Sequence, residues 1–151
     1  MKKNILNTGI LVVLIMVFMA CEKKDSNNPH EMHWDRDMCV RCKMVISNRK
    51  HAVQVINPES NKVYKFDDLG CAIKWFREND IGWEDNAKIW ITDVKSGKWI
   101  DAKKAYYDTT HNTPMAYGFS ANEKKQSITD NTSEVLDFNE VKKRILERKK
   151  Q

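Results

Sequence analysis

The chain has 151 residues, with 26 Lys and Arg against 21 Asp and Glu, a formal net charge of +5. Without residues 1–20 the balance is 24 basic to 21 acidic, both signs interspersed, which suits one domain or two small halves sharing a core. No basic block is large enough to serve as a phosphate footprint, so a nucleic-acid partner is excluded. Lys142-Lys143-Arg144 and Arg148-Lys149-Lys150 are the solvated face of an expected terminal helix, leaving only a weak attraction to anionic lipid open.

The chain opens on Lys2-Lys3, runs apolar from Ile10 to Ala20 and reaches Cys21 followed by Glu22-Lys-Lys-Asp25. The apolar run falls short of the roughly 20 residues a membrane span needs and ends on a small residue, as a cleaved secretory signal does. Ala20-Cys21 resembles a bacterial lipobox, although Phe18 and Met19 are bulkier than the commonest residues there. That resemblance implies cleavage after residue 20 and diacylation of the Cys21 thiol; the competing reading is an uncleaved anchor helix. Either one puts the remainder outside the cytoplasm, tied to an inner or outer membrane. Residues 21–37 lack apolar periodicity and are expected to form the lipid anchor and a flexible linker. His30 and His33 fall in that linker and are left out of the site.

Cys39-Val-Arg-Cys42-Lys-Met44 places two thiols and a thioether within six residues. Thiolate and thioether sulfur select Cu(I), whereas zinc has little use for a Met. If Cys42–Val45 is extended, Cys42 and Met44 share a face and can meet one ion, with Cys39 joining a turn earlier. Other readings of the same residues are a disulfide or redox pair, c-type haem attachment, and Met44 as core filler. The haem motif calls for His where Lys43 stands, and no β-run precedes the pair as it would in a thioredoxin-like enzyme. Once Cys21 carries lipid, three thiols remain and cannot all pair, so at least one of Cys39, Cys42 and Cys71 is free or metal-bound.

Ala52–Ile56 and Lys62–Phe66 read as a hairpin around the turn Asn57–Asn61. Asp67 or Asp68 then N-caps a helix with Leu69, Ala72, Ile73 and Phe76 on one stripe, ending near Asn79. Cys71 lies off that stripe beside Trp75, either bordering the site or packing as a small hydrophobe. Lys88–Thr92 and Trp99–Ile100 continue the sheet around a turn at Lys95–Lys98. The polar loop Tyr106–Tyr117 carries His111 and Met115; Met115 has no periodic apolar partners and is equally a ligand or a packing residue. Val135–Phe138 leading into Val141, Ile145 and Leu146 echoes Val63–Phe66 leading into the first helix. The expected class is α+β, with residues 38–151 as one domain of two related ββαβ-like halves, about 38–93 and 99–150.

Cys42-Lys-Met44, Phe66-Asp-Asp-Leu-Gly-Cys71, Trp99-Ile-Asp-Ala-Lys-Lys-Ala-Tyr106 and Pro114-Met-Ala-Tyr-Gly-Phe-Ser120 together resemble the NosL family of copper-binding lipoproteins. The resemblance implies a membrane-anchored Cu(I) metallochaperone, not an enzyme. It would supply copper to nitrous-oxide reductase together with an ABC-type accessory complex. It carries over Cys42, Met44 and Met115 as candidate metal ligands; Cys39 is added on spacing alone. Lys43 replaces the Gly of the family's Cys-Gly-Met, at a position where Gly reaches positive φ freely and Lys does not. The alternative function is an extracytoplasmic thiol-disulfide oxidoreductase using Cys39 and Cys42, which would have no need of Met44 and Met115. Sequence leaves open the copper client, and whether Cys71, His30, His33 or His111 joins the site.

Overall fold

The computed structural model describes residues 27–129 and 133–148; the signal segment, Cys21, and Lys149-Lys150 lie outside them. Strands β1 (Val53–Ile56) and β2 (Val63–Phe66) form the expected hairpin, closed by an Asn57 side chain that accepts from the backbone N–H groups of Glu59 and Ser60 at 2.8 and 3.0 Å. Helix α1 (Leu69–Glu78) follows at once, and β3 (Lys88–Thr92) returns to pair antiparallel with β1. That is the ββαβ order expected of the first half. Asp93 then caps the next turn, its Oδ1 accepting from the N–H groups of Lys95 and Ser96, and β4 (Trp99–Asp101) folds back on β3. The sheet order is β2-β1-β3-β4.

The mixed helix-and-sheet class is therefore as expected, but Trp99–Asp101, assigned to the second half by sequence, is an edge strand of the first sheet. A short turn makes hairpin closure on β3 inexpensive in chain entropy, whereas a partner further along the chain costs a longer closure. The second sheet consists of β5 (Tyr106–Asp108) and β6 (Ser120–Asn122), with Leu136 bridged to Tyr107 by two backbone bonds of 2.9 Å. Asp137 next caps helix α2 (Phe138–Glu147), its side chain accepting from the Glu140 N–H at 2.8 Å. A strand-end residue, an Asp cap and a helix thus recur as the echo suggested, with no strand after α2 among the described residues.

Alternation puts Val53 and Val55 on one face of β1, with Ile89 and Ile91 beside them on β3, in a core that α1 closes with Leu69, Ala72, Ile73 and Phe76. Helix α2 packs on α1 and buries Phe138, Val141 and Ile145. None of the helices among the described residues is long and apolar enough to cross a membrane.

Residues 28–37, expected to be tether, instead lie against the opposite face of the sheet. The buried Gln54 side chain accepts from the His30 N–H and donates to the His30 carbonyl, both at 2.8 Å, imitating a strand partner. Met32 is buried, Lys65 Nζ bonds the Glu31 carbonyl and Asp37, and Trp34 stacks on Trp99 with ring centroids 6.5 Å apart. Low apolar periodicity marked the segment as linker, but its hold comes from backbone bonding and isolated anchors, which leave no periodic trace.

Replacing Gln54 with Leu would leave the bonded His30 groups without this partner under the strap. The expected cost is about 1–3 kcal/mol in urea unfolding. An unchanged midpoint would mean that the strap adds nothing to the stability of the sheet.

Candidate metal centre

Three segments meet beside the N-terminus of α1. The first is the loop of Cys39 and Cys42, closed by the Met38–Val45 bridge, by Cys39 N–H to Met44 O at 2.8 Å and by Lys43 N–H to Cys39 O at 3.0 Å. Val40 N–H donates to Lys65 O at 2.9 Å and staples this loop to the β2 edge. A tight turn at residues 40–42, followed by Lys43 at positive φ, thus stands in place of the extended segment expected over Cys42–Val45. Lys43 has φ +64°, the left-handed conformation a glycine would take without strain, and its Nζ reaches Val40 O at 2.7 Å. Arg41 is held by both Glu78 oxygens at 2.8 Å and lies 3.5 Å from the Tyr117 hydroxyl.

The second segment is Asp67-Asp68 with the first turn of α1. Asp68 is the N-cap, its Oδ1 accepting from Gly70 N–H at 2.9 Å. Cys71 follows one turn into the helix, wholly buried. The third segment is the Met115 loop, fastened to the same carboxylate: Asp68 Oδ2 accepts from Thr113 Oγ1 at 2.5 Å and from Met115 N–H at 3.1 Å. A Cβ at Gly70 would overlap the Tyr117 ring, so this glycine lets the loop lie directly on the helix.

Cys39, Cys42, Asp67 and Cys71 each present a ligand atom, and all four atoms lie within 4.8 Å of one another. The three thiols are unpaired. Cys39 and Cys71 are buried, while Cys42 is partly exposed, its Sγ 3.5 and 3.6 Å from the two Asp67 oxygens. A hydrogen bond from Cys71 draws the Cys39 thiol down to about 4 and, in return, pushes Cys71 up. Burial lifts Cys42 to about 11, and burial followed by the Cys39 charge lifts Asp67 to about 6. One thiolate, accepting from its neighbours, therefore carries the negative charge of the cluster at neutral pH, together with the Asp67 carboxylate.

Asp67 and Cys71 were not among the expected ligands. Cys71 had the odd thiol count as its signal, but its distance from Cys39 in sequence gave no hint that the two meet. Asp67 looked like one of two possible helix caps; Asp68 takes that role and leaves Asp67 to face the thiols. Met44 is 51% exposed, and Met115 is partly buried against the core. Among the histidines, His111 Nδ1 pairs with Asp108 at 2.9 Å, His33 lies near Asp37 and Glu31, and His30 bonds Gln54 through its backbone; none belongs to the thiol cluster.

Lys43→Gly should remove left-handed strain of about 1–2 kcal/mol while adding part of that back as unfolded-chain entropy. A net gain of about 0.5–1 kcal/mol is expected as a higher urea midpoint at unchanged slope. A lower midpoint would show that the Lys43–Val40 contact outweighs the strain. The raised Asp67 carboxyl favours the fold in its protonated form, a contribution present below its ordinary 3.8 and lost as pH rises through about 6. Asp67→Asn should accordingly gain on the wild type by about 1–3 kcal/mol between pH 4 and pH 7, measured by unfolding of the metal-free protein. A pH-independent difference would contradict this account of Asp67.

No curated protein matches the chain. Among solved structures, the copper chaperone NosL from Shewanella denitrificans is similar in fold, with a TM-score of 0.57 at 14% identity, covering 76% of this chain and 95% of that one. The NosL family model matches residues 29–146, spanning the strap, both sheets, the thiol cluster and the Met115 loop, and so the chain belongs to the NosL family.

Proposed function

We propose that this protein is a Cu(I)-binding metallochaperone, a carrier and not an enzyme, anchored through Cys21 on the outer side of a cell-envelope membrane. It would deliver copper for the copper centre of nitrous-oxide reductase, working with an ABC-type accessory complex. The observation that carries the reading is the set of three unpaired thiols and a carboxylate within 4.8 Å, in a chain whose family includes a protein described as a copper chaperone.

The donor chemistry suits a soft monovalent ion. Thiolates bind Cu(I) strongly and supply the compensating charge, while Met44 and Met115 are proposed as neutral thioether donors at the rim. Asp67 is a harder ligand that serves Zn(II) better, which makes the balance between the two ions the sharpest test. Of the proposed sulfur donors Met44 is exposed and Cys42 partly so, and a recipient's ligand would approach there and displace them in turn. A thiol-disulfide oxidoreductase draws support only from the C-x-x-C spacing; the pair sits in a tight loop, not at the start of a helix, and Cys39 is buried.

In competition with a Cu(I) chelator the protein should hold one Cu(I) and retain Zn(II) more weakly. Met44→Leu and Met115→Leu conserve volume and should cost under about 1.5 kcal/mol in stability. Each should lower Cu(I) affinity about tenfold, or about 1.4 kcal/mol, with Cys42→Ser lowering it most. Unchanged Cu(I) binding in both Met variants would remove them from the site, and Zn(II) held as tightly as Cu(I) would make the cluster a structural zinc site.

A further inference from the structure

Three neighbouring thiols can make only one disulfide among themselves, so oxidation of the empty site must choose a pair. Sequence spacing favours Cys39 with Cys42. The structure favours another choice. Cys39 and Cys71 are both fully buried, whereas Cys42 leans toward Asp67 at 3.5 and 3.6 Å and is partly exposed. The sulfur atoms of all three start within 4.8 Å of one another. Cys39 belongs to the stapled loop and Cys71 to α1, so joining them would cross-link two separate segments and close a far longer ring than C-x-x-C does. A longer closed loop restricts the unfolded chain more, and a buried disulfide is out of reach of an attacking thiol.

We infer that the cluster is a three-sulfur exchange relay, in which Cys42 receives oxidising equivalents from a small-molecule disulfide and the buried pair Cys39–Cys71 becomes the stable disulfide. In the first step Cys42 Sγ, having lost its proton, attacks one sulfur of the small disulfide; a mixed disulfide forms and one small thiolate leaves, taking up that proton. Cys39 then attacks Cys42 Sγ and expels the second small thiolate. Cys71, giving up its proton, finally attacks Cys39 Sγ, and Cys42 departs as a thiolate that takes that proton up. In sum, the Cys39 thiolate and the Cys71 thiol give up two electrons and one proton, and one small disulfide becomes one small thiol and one small thiolate, which takes its proton from solvent. The functional consequence rests on the metal-carrier reading: with Cys39 and Cys71 joined, only Cys42 remains as a thiolate donor. A dithiol reductant must then act on the oxidised chain before it can load an ion.

The test uses the metal-free full chain, equilibrated with oxidised glutathione, alkylated with iodoacetamide and digested with trypsin, whose cuts at Arg41 and Lys43 put the three cysteines on separate peptides. The expected product joins the Cys39 and Cys71 peptides and leaves Cys42 alkylated. Cys71→Ser should halt the relay at Cys39–Cys42, and Cys42→Ser should slow cross-linking at least tenfold. A final wild-type product joining Cys39 to Cys42, or no cross-link at equilibrium, overturns the inference. Preloading with one equivalent of Cu(I) should block the reaction. If cross-linking proceeds equally with Cu(I) present while the wild-type linkage is as expected, the carrier reading fails and the relay stands.

Discussion

The buried carboxylate of Asp68 ties the start of α1 to the Met115 loop, two of the three segments that carry a candidate ligand. One oxygen caps α1 through Gly70 N–H, and the other accepts from Thr113 Oγ1 and Met115 N–H. Burial raises its pKa, but the three donors oppose that shift, and a carboxylate so surrounded supports both the helix and the loop. Asp67, its neighbour, is thereby turned to the thiols at the end of β2, and Cys71 is set one helical turn further on. Loss of this one group would unfasten the helix start and the Met115 loop together.

The C-x-x-C loop is held by different means. Its backbone closes on itself through Cys39, Lys43 and Met44, and Val40 joins it to the edge of β2. The tightness of that turn forces Lys43 into positive φ. Strain of this kind persists where the surroundings over-determine it, and here the Val40 staple on one side and the Arg41–Glu78 pair on the other leave the loop no wider path. Arg41, Tyr117 and Gly70 complete the frame by bringing the loop, the helix and the Met115 segment into contact.

Inside this frame the thiols share protons unequally. Cys39 is the acceptor of the group, and the proton that Cys71 keeps is the one that stabilises the Cys39 thiolate. A soft cation entering the cluster would replace those protons as the partner of sulfur, so binding is linked to proton release. The same closeness that suits the sulfurs to a shared ion also suits them to exchange with one another when no ion is present.

The local structure was legible in the chain itself. The β1–β2 hairpin, the stripe of α1, a cap at Asp67 or Asp68 and the α2 helix all follow from alternation, helical spacing and turn residues that act over a few positions. With Cys21 lipidated as expected, the three remaining thiols would likewise require an unpaired one. Tertiary structure alone decided that Cys71 and Asp67 join Cys39 and Cys42, because contacts between a loop and a helix start distant in sequence leave no periodic mark. It also decided that residues 28–37 form a strap, through bonds from one buried glutamine. Finally, it replaced the extended Cys42–Val45 segment by a turn with Lys43 at positive φ, where simple alternation does not hold, and whether Lys43 adopts that conformation is settled by the closure of the loop around it.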